Sequence, residues 1–295
     1  DECSLAGIVR AFEASRRTGI PLIVGSELCI EDGTRLVVLV AEASGYVDLC
    51  HLITNARRRA SKGQYRVCIA DVQALGDGVR LLWLPPVHTD DQLMPPTWLQ
   101  VCAATRIWIA LECHHAAEDA DRLRHLRQCA ARLDWPLLAA GDVHMHVRRR
   151  RALQDVLTAI RHHTPLSEAG FHLFPNGERH LRTRQALAAI YPADALAETL
   201  RLAAQCRFQL DSLRYGYPQE VVPAGFTADA WLRHLTWQGA HWRWPTGVSD
   251  KVRAQLEHEL SLIAELSYAA YFLTVHALGR FPRGRGIRCQ GRGSA

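Results

Sequence analysis

Lysine is nearly missing from this chain of 295 residues: Lys62 and Lys251 are the only two, so its net charge of +5 rests on arginine. Arginine-favouring codon usage accounts for that choice, and so mild a basic balance is compatible with nucleic-acid contact without requiring it. Long apolar runs are missing too. Nothing approaches the roughly 20 residues of a membrane-spanning helix, and the opening Asp1-Glu2 is the opposite of a signal peptide's basic start. The chain does not begin with methionine, and it is therefore expected to be a fragment rather than a processed secretory protein. Its nine cysteines are scattered, odd in number and never in a C-x-x-C pair, which argues against a disulfide framework and a structural zinc site and points to the reducing cytosol. No internal repeat or low-complexity tract stands out.

What is present is a hydrophobic share of 48%, enough for one large domain and part of a second. Short apolar or β-branched segments at 21–24, 36–40, 79–84, 107–111 and 137–140 alternate with helical stretches, which predicts an α/β layer or barrel rather than a sandwich. The clearest of the intervening helices is 119–133, with Leu123, Leu126, Ala130 and Leu133 at helical spacing. Beyond Asp142 the segments 151–160 and 193–206 read as helices with no comparable strand between them. The turn-forming residues 215–225 then mark a domain boundary, followed by helices over 227–239 and 249–266, the latter with Ser249 placed to cap it.

Several clusters offer chemistry. Asp142 and His144 follow the strand 137–140 and, being two apart on extended backbone, point to one side, where they can share a metal ion. Taken alone, the pair reads equally as ligands or as ordinary loop residues. Glu27 follows a second apolar segment in the same way. Cys113-His114-His115 and His162-His163 are adjacent residues that face opposite ways on extended backbone, and chance accounts for both in a chain with fifteen histidines. Arg57 to Arg59 and Arg148 to Arg151 read as solvated faces. Trp231, Trp237, Trp242 and Trp244 suit core packing or a base-stacking surface. At the end of the chain, Gly291-Arg292-Gly293-Ser294 combines a backbone that can approach a phosphate closely with a guanidinium and a hydroxyl that can bind it.

The order of an apolar helix from Tyr271 to His276, a basic turn around Arg285-Gly286-Ile287, and Gly291 to Ser294 resembles the opening of the palm in C-family bacterial DNA polymerases. Read with Asp1-Glu2-Cys3-Ser4-Leu5-Ala6-Gly7, the resemblance narrows to the error-prone, damage-associated branch related to the DNA polymerase III alpha subunit. It implies an α/β fold in which 1–214 is a PHP (polymerase and histidinol phosphatase) domain of distorted (β/α) barrel type, cut at its N-terminus. It implies that 215–295 is the helical start of the palm, cut at its C-terminus. It also implies a parent DNA-directed polymerase that is cytoplasmic, uses Mg²⁺ and deoxynucleoside triphosphates on a DNA primer-template, and works with other damage-response subunits. Its catalytic aspartates would lie beyond Ala295, with Gly291, Arg292, Gly293 and Ser294 contacting the triphosphate.

By motif position the resemblance places PHP metal ligands at Asp1, Glu27, Asp142 and His144. The pattern departs from the family at Glu2 and Arg35, where histidines are expected, near Leu84-Pro85, where a Cys or His is expected, and at a first-strand His-x-His that would precede Asp1. Arginine cannot ligate, and its charge opposes a divalent ion. A degenerate site with weak metal binding at most is therefore expected. A free-standing PHP-type phosphoesterase and a non-catalytic scaffold module are the alternatives.

Overall fold

The computed structural model describes residues 1–86, 90–102, 106–213 and 221–288. The chain divides into two compact units, Asp1–Leu213 and Arg214–Ala295. The first contains helices α1 (Ile8–Thr18), α2 (Ala43–Arg58), α3 (Ile69–Gln73), α4 (Thr97–Cys102), α5 (Asp119–Leu133), α6 (Arg151–Arg161), α7 (Arg184–Ile190) and α8 (Ala193–Gln205). It also contains strands β1 (Gly25–Cys29), β2 (Arg35–Val40), β3 (Val79–Leu84), β4 (Ile107–Glu112) and β5 (Leu137–Ala140). The second unit is made of α9 (Ala228–Arg243), α10 (Asp250–Glu265) and α11 (Ala269–Arg283).

The α/β reading holds, as one five-stranded sheet in the order β1-β2-β3-β4-β5. Its direction changes midway. β1 and β2, and β2 and β3, run antiparallel, whereas β3, β4 and β5 are parallel. Residues 30–34 between β1 and β2 are too few for a crossover, and Gly33 supplies the positive φ of 86° that a tight reversal needs. The later strands are separated by α4 and α5, long enough connections for parallel pairing.

The central strands are buried on both faces, so they read as continuous apolar runs: Leu81 to Leu84 and Ile107 to Leu111 are all buried. The larger core lies on one side and takes in Leu36, Leu81, Ile109, Leu111 and Leu126. On the other side Leu82, Trp108 and Leu138 meet Leu202 of α8, and Trp108 Nε1 donates to Glu198 Oε1 at 2.8 Å. Tyr191 anchors the segment before α8, its hydroxyl donating to the carbonyl of Ala140 at 2.7 Å.

The first strand lies four residues later than its apolar composition predicts. Residues 21–24 contribute only the carbonyl of Val24, which accepts from the Val40 N–H at 2.8 Å; pairing with β2 begins at Gly25. A Cβ at Gly25 would stand 2.7 Å from the Val38 carbonyl oxygen, so this close approach requires glycine. As a result Glu27 sits within a strand rather than after one.

In the second unit Leu232, Leu260, Ala269 and Leu273 form a small core, and Arg233 pairs with Glu257 at 2.7 Å. Thr227 caps α9 by accepting from the Ala230 N–H at 3.2 Å, while Ser249 occupies the cap position of α10 without a side-chain cap bond. Among the described residues no single helix is long and apolar enough to cross a membrane.

Candidate functional site

Sheet register gathers the chemistry on one edge. Because β1 and β2 are antiparallel and Glu27 stands opposite Val37, Glu27 and Arg35 share a face and lie diagonally across the pair. Val37 stands opposite Leu82, Leu82 opposite Trp108, and Glu112 lies four residues beyond Trp108 on the same side. Glu112 is paired with Ala140, and Asp142 follows two residues on. The reversed direction of β2 therefore brings the start of that strand, with Arg35, to the edge where β3, β4 and β5 end.

Each expected metal ligand is already engaged, and Asp1 is engaged away from that edge, beside Gly7 and near Gly25 at the start of β1. The Asp1 carboxylate accepts from the Gly7 N–H at 2.8 Å. Glu27 is bridged by Arg35 through both Nε and Nη2. Asp142 is held from two sides: His144 Nε2 lies 2.9 Å from Oδ1, and Arg179 Nε donates to Oδ2 at 2.7 Å. Glu2, at a position where the family pattern has histidine, accepts from the Tyr65 hydroxyl at 2.6 Å and from Arg161 at 2.7 Å.

Asp142 takes a left-handed φ of 40°, which the short polar side chain of aspartate tolerates better than most. Its neighbour is fixed by a short pairing of irregular segments, in which the Arg179 carbonyl accepts from the N–H groups of His144 and Met145 at 2.9 and 3.1 Å. Phe174 closes the pair, with its ring 4.3 Å from the Arg179 guanidinium carbon and 4.8 Å from the His144 ring. Arg179 is thus a built part of the interior edge, with its side chain 14% exposed.

Among the described residues the one group of three side chains able to share an ion is Glu112, His114 and Asp142, whose donor atoms lie within 4.8 Å of one another. The sequence reading misses two of these residues. It ends the fourth strand one residue short of Glu112, and it assigns His114 to chance. His114 is buried, and neither of its ring nitrogens makes a hydrogen bond.

The electrostatics of the three differ. Burial works to raise the pKa of Asp142 but is outweighed by the hydrogen bonds and charges of His144 and Arg179, so this carboxylate titrates well below the usual range. Burial, reinforced by the charge on Asp142, pushes Glu112 upward. Burial, reinforced by the charge on Arg179, pushes His114 down to about 4, leaving a neutral imidazole at pH 7. Three grouped donors, one of them shared with a guanidinium, are fewer than a closed tetrahedral shell takes.

The remaining candidates fall elsewhere. Gly291, Arg292, Gly293 and Ser294 lie outside the described residues. His162 stacks on His172 with ring centroids 3.9 Å apart, and Trp242 is 84% exposed, a surface residue rather than part of the core.

Comparison with known proteins adds a second line of observation. Residues 230–295 match the family model described as bacterial DNA polymerase III alpha NTPase domain. Over 295 residues, all of this chain, it is 55% identical to the error-prone DNA polymerase of Pseudomonas aeruginosa, covering 28% of that protein. It is 53% identical to that of Pseudomonas syringae pv. tomato and 52% identical to that of Xanthomonas axonopodis pv. citri, covering 29% and 27% of them. The chain thus spans under a third of the length of these relatives.

Proposed function

We propose that this chain, which belongs along its whole length with a segment of the bacterial error-prone DNA polymerases of the C family, serves template-directed deoxynucleotide addition on damaged DNA as part of such an enzyme. The observation that carries the reading is identity of 52–55% sustained from end to end, across both compact units. In this reading the unit Asp1–Leu213 is a PHP-type domain in a structural role, and Arg214–Ala295 is the first part of the palm. The substrates are a DNA primer-template and deoxynucleoside triphosphates. Other damage-response subunits are its partners, and the cytoplasm is its compartment.

Nucleotidyl transfer of this kind rests on paired divalent ions, here Mg²⁺, that stabilise the attacking and leaving oxygens. This chain's share is to position substrate. Arg292 offers a forked, permanently charged donor set for phosphate oxygens, and Gly291 and Gly293 leave room for the approach of a triphosphate, with Ser294 adding a hydroxyl.

The experiment is primer extension by the whole polymerase that carries this segment, on undamaged and abasic templates, beside the 295-residue chain alone. Extension by the whole protein and none by the chain is the expected result. A whole protein that extends neither template would end the reading.

A further inference from the structure

We propose that the guanidinium of Arg179 stands in the place of a divalent ion at this sheet edge and is what closes the group Glu112, His114 and Asp142 to metal. Three carboxylates here have an arginine each: Glu2 with Arg161, Glu27 with Arg35 and Asp142 with Arg179. They are not equivalent. Arg161 and Arg35 are 71% and 45% exposed, and pairs so open to water restrain little. Arg179 and Asp142 are 14% and 16% exposed, in a setting where a fixed charge is screened poorly and must be matched.

Arg179 has the means to act as a resident cation. Its backbone is fixed by the two N–H groups of His144 and Met145, its guanidinium lies over Phe174, and its Nε reaches Asp142 at 2.7 Å. It never loses its charge. An incoming divalent ion would have to take Asp142 from this donor and then sit beside the displaced positive charge. Meanwhile Glu112 and His114 keep donor atoms within 4.8 Å of Asp142, and neither His114 nitrogen is hydrogen-bonded, Nε2 lying 4.0 Å from Glu112 Oε2. The geometry is therefore that of a single-ion site with its cation supplied by the chain itself. The inference rests on this geometry alone and is independent of the polymerase reading.

The test is gain of binding. The 295-residue chain and its Arg179→Gln, Arg179→Met and Arg179→Lys variants are stripped with chelator and titrated with Mn²⁺, bound ions being counted by electron paramagnetic resonance. The parent and Arg179→Lys should hold no stoichiometric ion, whereas Arg179→Gln and Arg179→Met should bind one per chain, at least about 10-fold more tightly than the parent. Adding His114→Ala to Arg179→Gln should remove the gained ion. One ion held stoichiometrically by the parent, or a folded Arg179→Gln chain with no gain, overturns the proposal. If neither neutral variant folds, the parent titration decides alone: no bound ion supports the proposal and one bound ion refutes it.

Discussion

Arg179 and Asp142 are 37 residues apart in sequence and 2.7 Å apart in space, Nε to Oδ2, on a sheet edge that buries most of both side chains. Breaking such a pair from one side leaves a poorly solvated charge. Asp142→Asn is expected to lower stability by about 2–3 kcal/mol in urea denaturation. Arg179→Met in the same chain should recover part of that loss, because the orphaned guanidinium is gone. A double-mutant cycle with no coupling would show that the two do not depend on each other.

Gly25→Ala should destabilise the first unit by about 1–3 kcal/mol, since the added Cβ meets the Leu39 side chain and also the backbone carbonyl of Val38, which cannot turn away. Hydrogen exchange should report the damage in β1 and β2 first. Protection unchanged in 25–29 would mean that the strands are not as closely apposed as described.

The cysteines should divide by burial. Cys129 is buried, and burial pushes its thiol up to about 11, while Cys29 is exposed. Burial and the charge of Glu2 raise the Cys29 thiol as well, so at pH 7.5 iodoacetamide should label Cys29 slowly, yet ahead of Cys3, Cys113 and Cys129, which should be spared until the chain is unfolded. Mass mapping that finds Cys129 modified early in native protein would contradict the core placement.

Much of the fold is legible in the sequence, and the pattern of misses has a physical cause. β3 and β5 match their expected bounds because doubly buried strands read as short apolar runs between turns and helices. β1 is displaced because composition alone does not tell an apolar approach from the paired strand; the pairing begins where Gly25 permits contact with Val38. Asp142 and His144 are legible as a strand-end pair. Arg179 is not, since it comes from the irregular stretch between α6 and α7, where no periodicity marks a partner for Asp142. His114 is overlooked for a related reason: adjacent histidines on ideal extended backbone diverge, but His115 here has a φ of +56°, and the backbone leaves the strand beyond Glu112.

The unit Asp1–Leu213 should show no divalent-dependent phosphomonoesterase activity, because Asp142 is held by a buried arginine and only Glu112 and His114 are grouped with it as donors among the described residues. Release of phosphate from p-nitrophenyl phosphate by the chelator-stripped and Mn²⁺-reloaded chain measures this directly. Turnover that depends on Mn²⁺ and is lost in Asp142→Asn would restore the phosphoesterase alternative.

The central claim, that this segment handles nucleotide in an error-prone polymerase, is tested most directly by single-nucleotide incorporation kinetics of the whole enzyme with and without Arg292→Ala. A lost charge-assisted contact to a triphosphate is worth about 1–3 kcal/mol, or roughly 5- to 150-fold in kcat/KM. Because phosphates are common to all substrates, the loss should be similar for the four deoxynucleotides. Unchanged kinetics, or a loss confined to one base, would contradict the account.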